Sequence, residues 1–260
     1  MTAIDALLIV IAGIGAGTIN SMVGSGTLIT FPTLVFLGLP PLAANVSNNV
    51  GLVAGGLSAS WGYRRELTGA TPLLRRLLPL SVVGSTVGAA LLLVLPAAAF
   101  RTVVPVLITL ALVLVLVGPR LQARAARQAA AGGSESGMPP RRQFALQSGV
   151  FLGGVYGGYF GAAQGVLLMG LFSALSRESI QRLTGLKNVL VTAVNLVAAL
   201  AFVFFAREHI WWGAVALVAV GSLIGGLLGA RIGRRLPAPV LRAIIVIVGL
   251  VAIAKMVWWS

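Results

Sequence analysis

The sequence has no cysteine, five acidic residues and a single histidine, and only 9% of its 260 residues are charged. Without thiols there are no disulfides, thiolate nucleophiles or cysteine-held metals. A water-soluble domain carries about 25% charged residues because its surface faces water. A chain that is 58% hydrophobic and this poor in charge must face a different solvent. Between Ala6 and Tyr63 there is no Asp, Glu, Lys, Arg or His, and further uncharged runs extend from Gln143 to Ser176, Asn188 to Ala206 and Ile210 to Ala230. Each run has room for one or more helices of roughly 20 apolar residues, the length that crosses a bilayer.

The acidic residues are scarce, and their positions exclude more. Asp5, Glu66, Glu135, Glu178 and Glu208 all fall at termini or between apolar segments, as does His209. No carboxylate is placed to ligate a cation or relay protons inside a membrane. Nor is there a metal-ligand cluster, an intramembrane Ser/His/Asp set or a pair of carboxylates, so an enzyme is not expected, and neither is a cofactor or a metal. Met1–Asp5 lacks a basic n-region, so a cleaved signal peptide is not expected.

The net charge of +14 does not form a nucleic-acid-binding patch, because the basic residues sit in short clusters between apolar segments. Ten segments can be read, approximately Ile4–Asn20, Thr27–Leu39, Ala43–Gly62, Leu77–Leu95, Val103–Gly118, Phe144–Phe160, Val166–Leu175, Leu183–Ala206, Trp211–Ala230 and Leu241–Val257. The second and seventh are short enough to be half-helices or re-entrant, which leaves eight to ten crossings. With ten crossings, sixteen of the 19 Lys and Arg residues share one side, and only Arg101, Arg207 and Lys255 lie on the other. The positive-inside rule then puts the linker in the cytoplasm and both termini outside. Trp61, Tyr63, Trp211, Trp212, Trp258 and Trp259 fall at segment ends, where an aromatic belt explains them.

The two halves resemble each other. Val83–Gly88 (VGSTVG) recurs as Val220–Gly225 (VGSLIG), and Leu95–Arg101 (LPAAAFR) as Leu236–Arg242 (LPAPVLR). Gly17, Gly24 and Gly26 match Gly154, Gly161 and Gly165 with a two-residue insertion. Matches in the same order indicate a duplicated unit, and five crossings per unit would invert the second copy, as in many secondary transporters. The division expected is a first repeat over 1–118, a basic flexible linker over 119–143 and a second repeat over 144–260. Gly84, Gly88, Gly221, Gly225 and Gly229, at four-residue spacing, are expected to pack helices closely.

The candidate site combines glycine-rich breaks with polar side chains in apolar surroundings. In the first half these are Asn20, Ser21, Gly24, Ser25, Gly26 and Thr27, followed by Asn45, Asn48 and Asn49. In the second they are Tyr159, Gly161, Gln164, Gly165, Lys187 and Asn188. An unsatisfied polar group in hydrocarbon costs several kcal/mol, so these groups must pair with each other, with backbone or with a ligand. Breaks beside short helices imply helix N-termini inside the membrane, which attract anions. Two readings of Lys187 stand side by side: a side chain snorkelling to the surface, or the fixed positive charge of an anion site.

These residues also carry a family resemblance. The stretch AGTINSMVGSGTLITFPTLVFLGLPPLAANVSNNV resembles the first repeat of the sulfite exporter TauE/SafE family, the four-toluene-sulfonate uptake family. GGVYGGYFGAAQGVLLMGLFSAL with TGLKNVLVTAVNLVAALAFVF resembles the second, although GAAQG lacks the proline that Pro32 supplies after GSG. The resemblance implies a multi-pass transporter of the bacterial cytoplasmic membrane carrying sulfite, an organosulfonate or a related small anion, often outward. The expected partners are that anion and the bilayer, with a homodimer left open. A carrier of another anion, such as a carboxylate, and a non-transporting scaffold are the alternatives.

Overall fold

The computed structural model describes residues 1–131, 139–176 and 178–232, together with Ala243, Val246, Ile247 and Leu250. The elements are helical throughout: α1 (Ala3–Met22), α2 (Thr27–Phe36), α3 (Pro41–Gly62), α4 (Thr71–Val94), α5 (Ala97–Ala131), α6 (Pro140–Tyr159), α7 (Gln164–Leu175), α8 (Ile180–Phe205) and α9 (Trp212–Ile232), with a single 3-10 turn over Arg207–His209. The tenth segment, Leu241–Val257, lies almost wholly outside the described residues.

Helix boundaries follow local chemistry. Thr2 and Asp5 form a reciprocal capping box at the start of α1. Proline occupies the first turn of α3, α4 and α6, where its missing N–H has no helical acceptor to lose. Ser179 caps α8 by accepting from Arg182 N at 3.3 Å. Gly24 (φ +86°) turns the chain after α1, and Gly38 (φ +94°) turns it after α2. Among the described residues, five helices are long and apolar enough to span a bilayer: α1, α4, the Ala98–Arg120 part of α5, α8 and α9. α2 and α7, with 10 and 12 residues, reach only about 15 and 18 Å and cannot cross alone. This length fits half-helices or re-entrant segments rather than full crossings, the reading expected to lower the count below ten. α5 continues through Pro119 to Ala131, well into the segment expected to be a flexible linker, and α6 begins at Pro140.

Helix directions can be read from glycine contacts. Cβ atoms placed on Gly13 and Gly17 would meet Gly221 and Ser222, and one on Gly229 would meet Thr18, so α1 and α9 run parallel. Gly51, Gly55 and Gly62 of α3 meet Val218, Ser222 and Ala230 in the same rising order. Gly84 and Gly88 of α4 lie against Gly154 and Val155 of α6, again parallel. The contacts of α3 with α8 descend from Asn49–Asn195 to Ser60–Thr192, and those of α6 with α7 descend from Gly149–Leu171 to Gly157–Gln164. Hence α1, α3, α7 and α9 point one way, and α4, α6 and α8 the other. Where these glycines meet backbone, a side chain would overlap it, so the stripe expected to serve close packing does so.

The partnership crosses the sequence. The first helix, α1, packs on α9, and α6 packs on α4. The main apolar core lies among α1, α2, α3, α5 and α9, with Phe31, Phe100 and Phe160 stacked edge to face at its centre. A second cluster joins α4, α6, α7 and α8 around Leu77, Leu146, Phe172 and Leu186.

Candidate functional site

The two glycine-rich breaks meet. Gly165 N–H, in the first turn of α7, donates to Gly24 O at 3.0 Å, and a Cβ on either glycine would overlap the other's backbone. Only glycine lets the loops touch in this way, and Gly24 also needs its positive φ. On the second side, Gly161 (φ +75°) and Ala163 (φ +59°) make the turn that admits α7. The N-terminal ends of both half-helices are thus buried beside one another.

Their N–H groups are less free than a helix end would suggest. Leu28 and Ile29 donate to Ser25 O and Gly26 O, and Gln164 and Val166 donate to Gly161 O and Ala163 O. The expected cradle of backbone N–H groups is therefore largely closed by tight turns, because a dry interior requires each donor to be paired. The groups left to meet a ligand are mainly side chains.

Lys187 is the one charged residue that is fully buried among the described residues, at 0% exposure. This overturns the snorkelling alternative. Its Nζ donates to Asn20 O at 2.8 Å and Ser21 O at 3.2 Å, 167 and 166 residues away in sequence. Asn188 Nδ2 donates to the same Ser21 O at 3.1 Å. The two side chains close the C-terminal end of α1, where unpaired carbonyls and the helix dipole favour a cation. Two of the three ammonium donors are used there. Neither ion pair among the described residues, Arg182–Glu178 or His209–Glu208, involves Lys187. The Lys187 stem also lies against Gly165, so the side chain runs from the second break to the end of α1.

The first half gathers its own groups. Asn48 accepts from Thr30 Oγ1 through its Oδ1 and faces Thr27 Oγ1 across 3.5 Å. Asn45 Nδ2 donates to Tyr159 O at 3.1 Å, so α3 closes the end of α6 as α8 closes that of α1. Asn49 Nδ2 donates to Asn195 Oδ1 at 3.4 Å. Asn20 Oδ1 accepts a long bond from Gly26 N at 3.5 Å, which ties the first break to α1. Several buried side-chain atoms have no hydrogen-bond partner: Ser21 Oγ, Ser25 Oγ, Asn45 Oδ1, Asn49 Oδ1 and both amide atoms of Gln164, which lies over Gly157. Buried polar atoms are nearly always paired, and these orphans sit at or beside the meeting of the breaks.

Tyr159 enters these contacts through its carbonyl, which accepts from Asn45, and its ring packs on Phe100. Thr30, absent from the candidate set, donates to Asn48 Oδ1, and Asn195, a polar residue of the same eighth segment as Lys187 and Asn188, accepts from Asn49. Thr30 is one helical turn from Thr27 in an otherwise apolar half-helix, and that spacing was the available signal.

Paired half-helices, a buried uncompensated cation and neutral donors drawn from both halves define a polytopic membrane transporter. The chain belongs to the family described as Sulfite exporter TauE/SafE, whose sequence pattern matches residues 9–256. It is 27% identical over 248 residues to the probable membrane transporter protein YfcA of Escherichia coli K12, covering 94% of this chain and 87% of that protein. It is also 27% identical over 262 residues to a probable membrane transporter protein of Haemophilus influenzae, covering 98% and 96% of the two chains. A third relative, the probable membrane transporter protein ORF9 of a Sinorhizobium species, is 27% identical over 243 residues. No solved structure matches the chain significantly. All three relatives are described as probable membrane transporters.

Proposed function

We propose that the chain is a secondary transporter that exports a small sulfur-containing anion, sulfite or an organosulfonate, by alternating access. One observation carries the preference for anions. Lys187 is buried without a carboxylate partner and runs from the second break to the end of α1. A lone cation in a dry interior is costly unless an opposite charge reaches it, and a transported anion supplies that charge for part of each cycle. In this reading the unpaired Ser25 and Gln164 groups replace water around such an anion. The sulfur chemistry of the substrate comes from the family alone.

The two halves, 1–118 and 144–260, act in this reading as inverted repeats joined through 119–143. The opposite directions of α1 and α6, of α3 and α8 and of α4 and α9 support it, as does the mirrored closure of α1 and α6 by the third helix of the other half. Rocking one unit against the other would part Gly24 from Gly165 and expose the site to one side at a time. The basic bias supports an orientation in a bacterial inner membrane with the linker in the cytoplasm and both termini outside.

The deciding experiment is flux into proteoliposomes loaded with sulfite, methanesulfonate, acetate or chloride. Uptake of the two sulfur anions, competed by each other and lost in Lys187→Met, is the expected result. Acetate transport without sulfite transport would favour the carboxylate reading. Absence of any flux from a folded protein would favour a scaffold.

A further inference from the structure

A second polar region lies away from the breaks, at the end of the molecule where α4 and α6 begin. A cavity of about 540 Å³ opens between the first turns of these parallel helices and the turn that joins α7 to α8. Its floor is apolar, formed by Leu73, Leu77, Leu146 and Leu175. Its polar lining includes Arg76 of α4 and Arg142 of α6, with Gln143 and Gln147 beside them. Neither arginine takes part in an ion pair among the described residues. The acidic residue in the lining, Glu178, is held by Arg182 at 2.6 Å and so does not neutralise them. Arg75 and Arg141 follow the same two turns and are exposed. Next to the lining residue Gln143, the large apolar side chain of Phe144 is 72% exposed.

We infer that this cavity binds the headgroup of an anionic phospholipid from the leaflet on the linker side. Two forked guanidiniums on adjacent helices match the oxygens of a phosphodiester, and the leucine floor accommodates the glycerol and the first methylenes of the chains. A free oxyanion would meet the same arginines but would gain nothing from the apolar floor. Basic pockets between spanning helices at the membrane surface are the recurrent form of such sites. The inference does not depend on which substrate the chain transports.

The test uses the full-length protein, purified in a neutral detergent and titrated with phosphatidylglycerol, phosphatidylcholine or inorganic phosphate, with bound lipid counted by native mass spectrometry. Phosphatidylglycerol should remain bound where phosphatidylcholine dissociates, and phosphate should not displace it. The R76Q/R142Q variant should bind it roughly 30-fold more weakly, at about fivefold per arginine near the surface, while Arg207→Gln at the opposite end should leave binding unchanged. Equal retention of phosphatidylcholine by the wild-type protein would overturn the inference, as would displacement by phosphate. Full retention of phosphatidylglycerol by R76Q/R142Q would do the same.

Discussion

Lys187 and Asn48 are each the eighth residue of their helices, α8 and α3, and Asn188 and Asn49 are each the ninth. The related positions carry different chemistry: one half contributes a charge, the other a neutral amide. Replacing Lys187 by Met removes the charge and uncaps α1, whereas Lys187→Arg keeps the charge but must fit a larger head into the same carbonyl pair. Anion flux should disappear in the first and fall but persist in the second, measured in proteoliposomes at matched reconstitution. Asn48→Leu and Asn188→Leu keep the volume and remove a donor or acceptor. A hydrogen bond to a charged ligand contributes about 1.5–3 kcal/mol, so each should weaken anion affinity roughly 10- to 150-fold. Ser58, which donates to Gly55 O at 3.0 Å within its own helix, is the contrast. Ser58→Ala should change affinity less than about twofold, and a large loss there would detach the site from the breaks.

The glycines separate into those that make contacts and those that do not. At Gly24 a methyl group would overlap Gly165 and also demand a left-handed backbone, and at Gly165 it would overlap Gly24. At Gly170, in the middle of α7, nothing lies within 4 Å. Gly170→Ala should therefore leave folding intact or raise stability by about 0.5–1 kcal/mol, the helical advantage of alanine. Gly24→Ala should give a protein that inserts but melts lower and carries no anion, read by monodispersity, thermal melting and flux. The half-helices themselves were legible because GSG and GAAQ interrupt apolar runs too short to span. The helical stretch beyond Pro119 was less so: its Ala, Arg and Gln residues favour helix, but their low hydrophobicity reads equally as a connector. The buried state of Lys187 could not be read from spacing, since nothing in the sequence near it announces the carbonyls of Asn20 and Ser21.

Across the whole molecule the helix directions make a prediction about sidedness. Thr68, between α3 and α4, and Glu208, between α8 and α9, stand at opposite ends of the bundle. In a chain without native cysteine, Thr68→Cys should resist a membrane-impermeant maleimide in intact cells while Glu208→Cys reacts. Reaction of both from outside would remove the alternating arrangement. The apolar helices among the described residues were visible in sequence, because hydrophobicity is a local property. The pairing of α1 with α9 and of α6 with α4 was not, because a stripe of small residues says that a helix has a close neighbour without saying which one.

That pairing has a consequence for biosynthesis. Thr18 of α1 donates to Gly225 O of α9 across 207 residues of chain, so α1 is made well before the helix that covers its glycine face. Until α9 is made, α1 lies in lipid without that partner, so this contact forms late in assembly. The first half made alone should be a ready target for membrane proteases. Co-expression of the two halves as separate polypeptides should rescue both, since each carries the missing surface of the other.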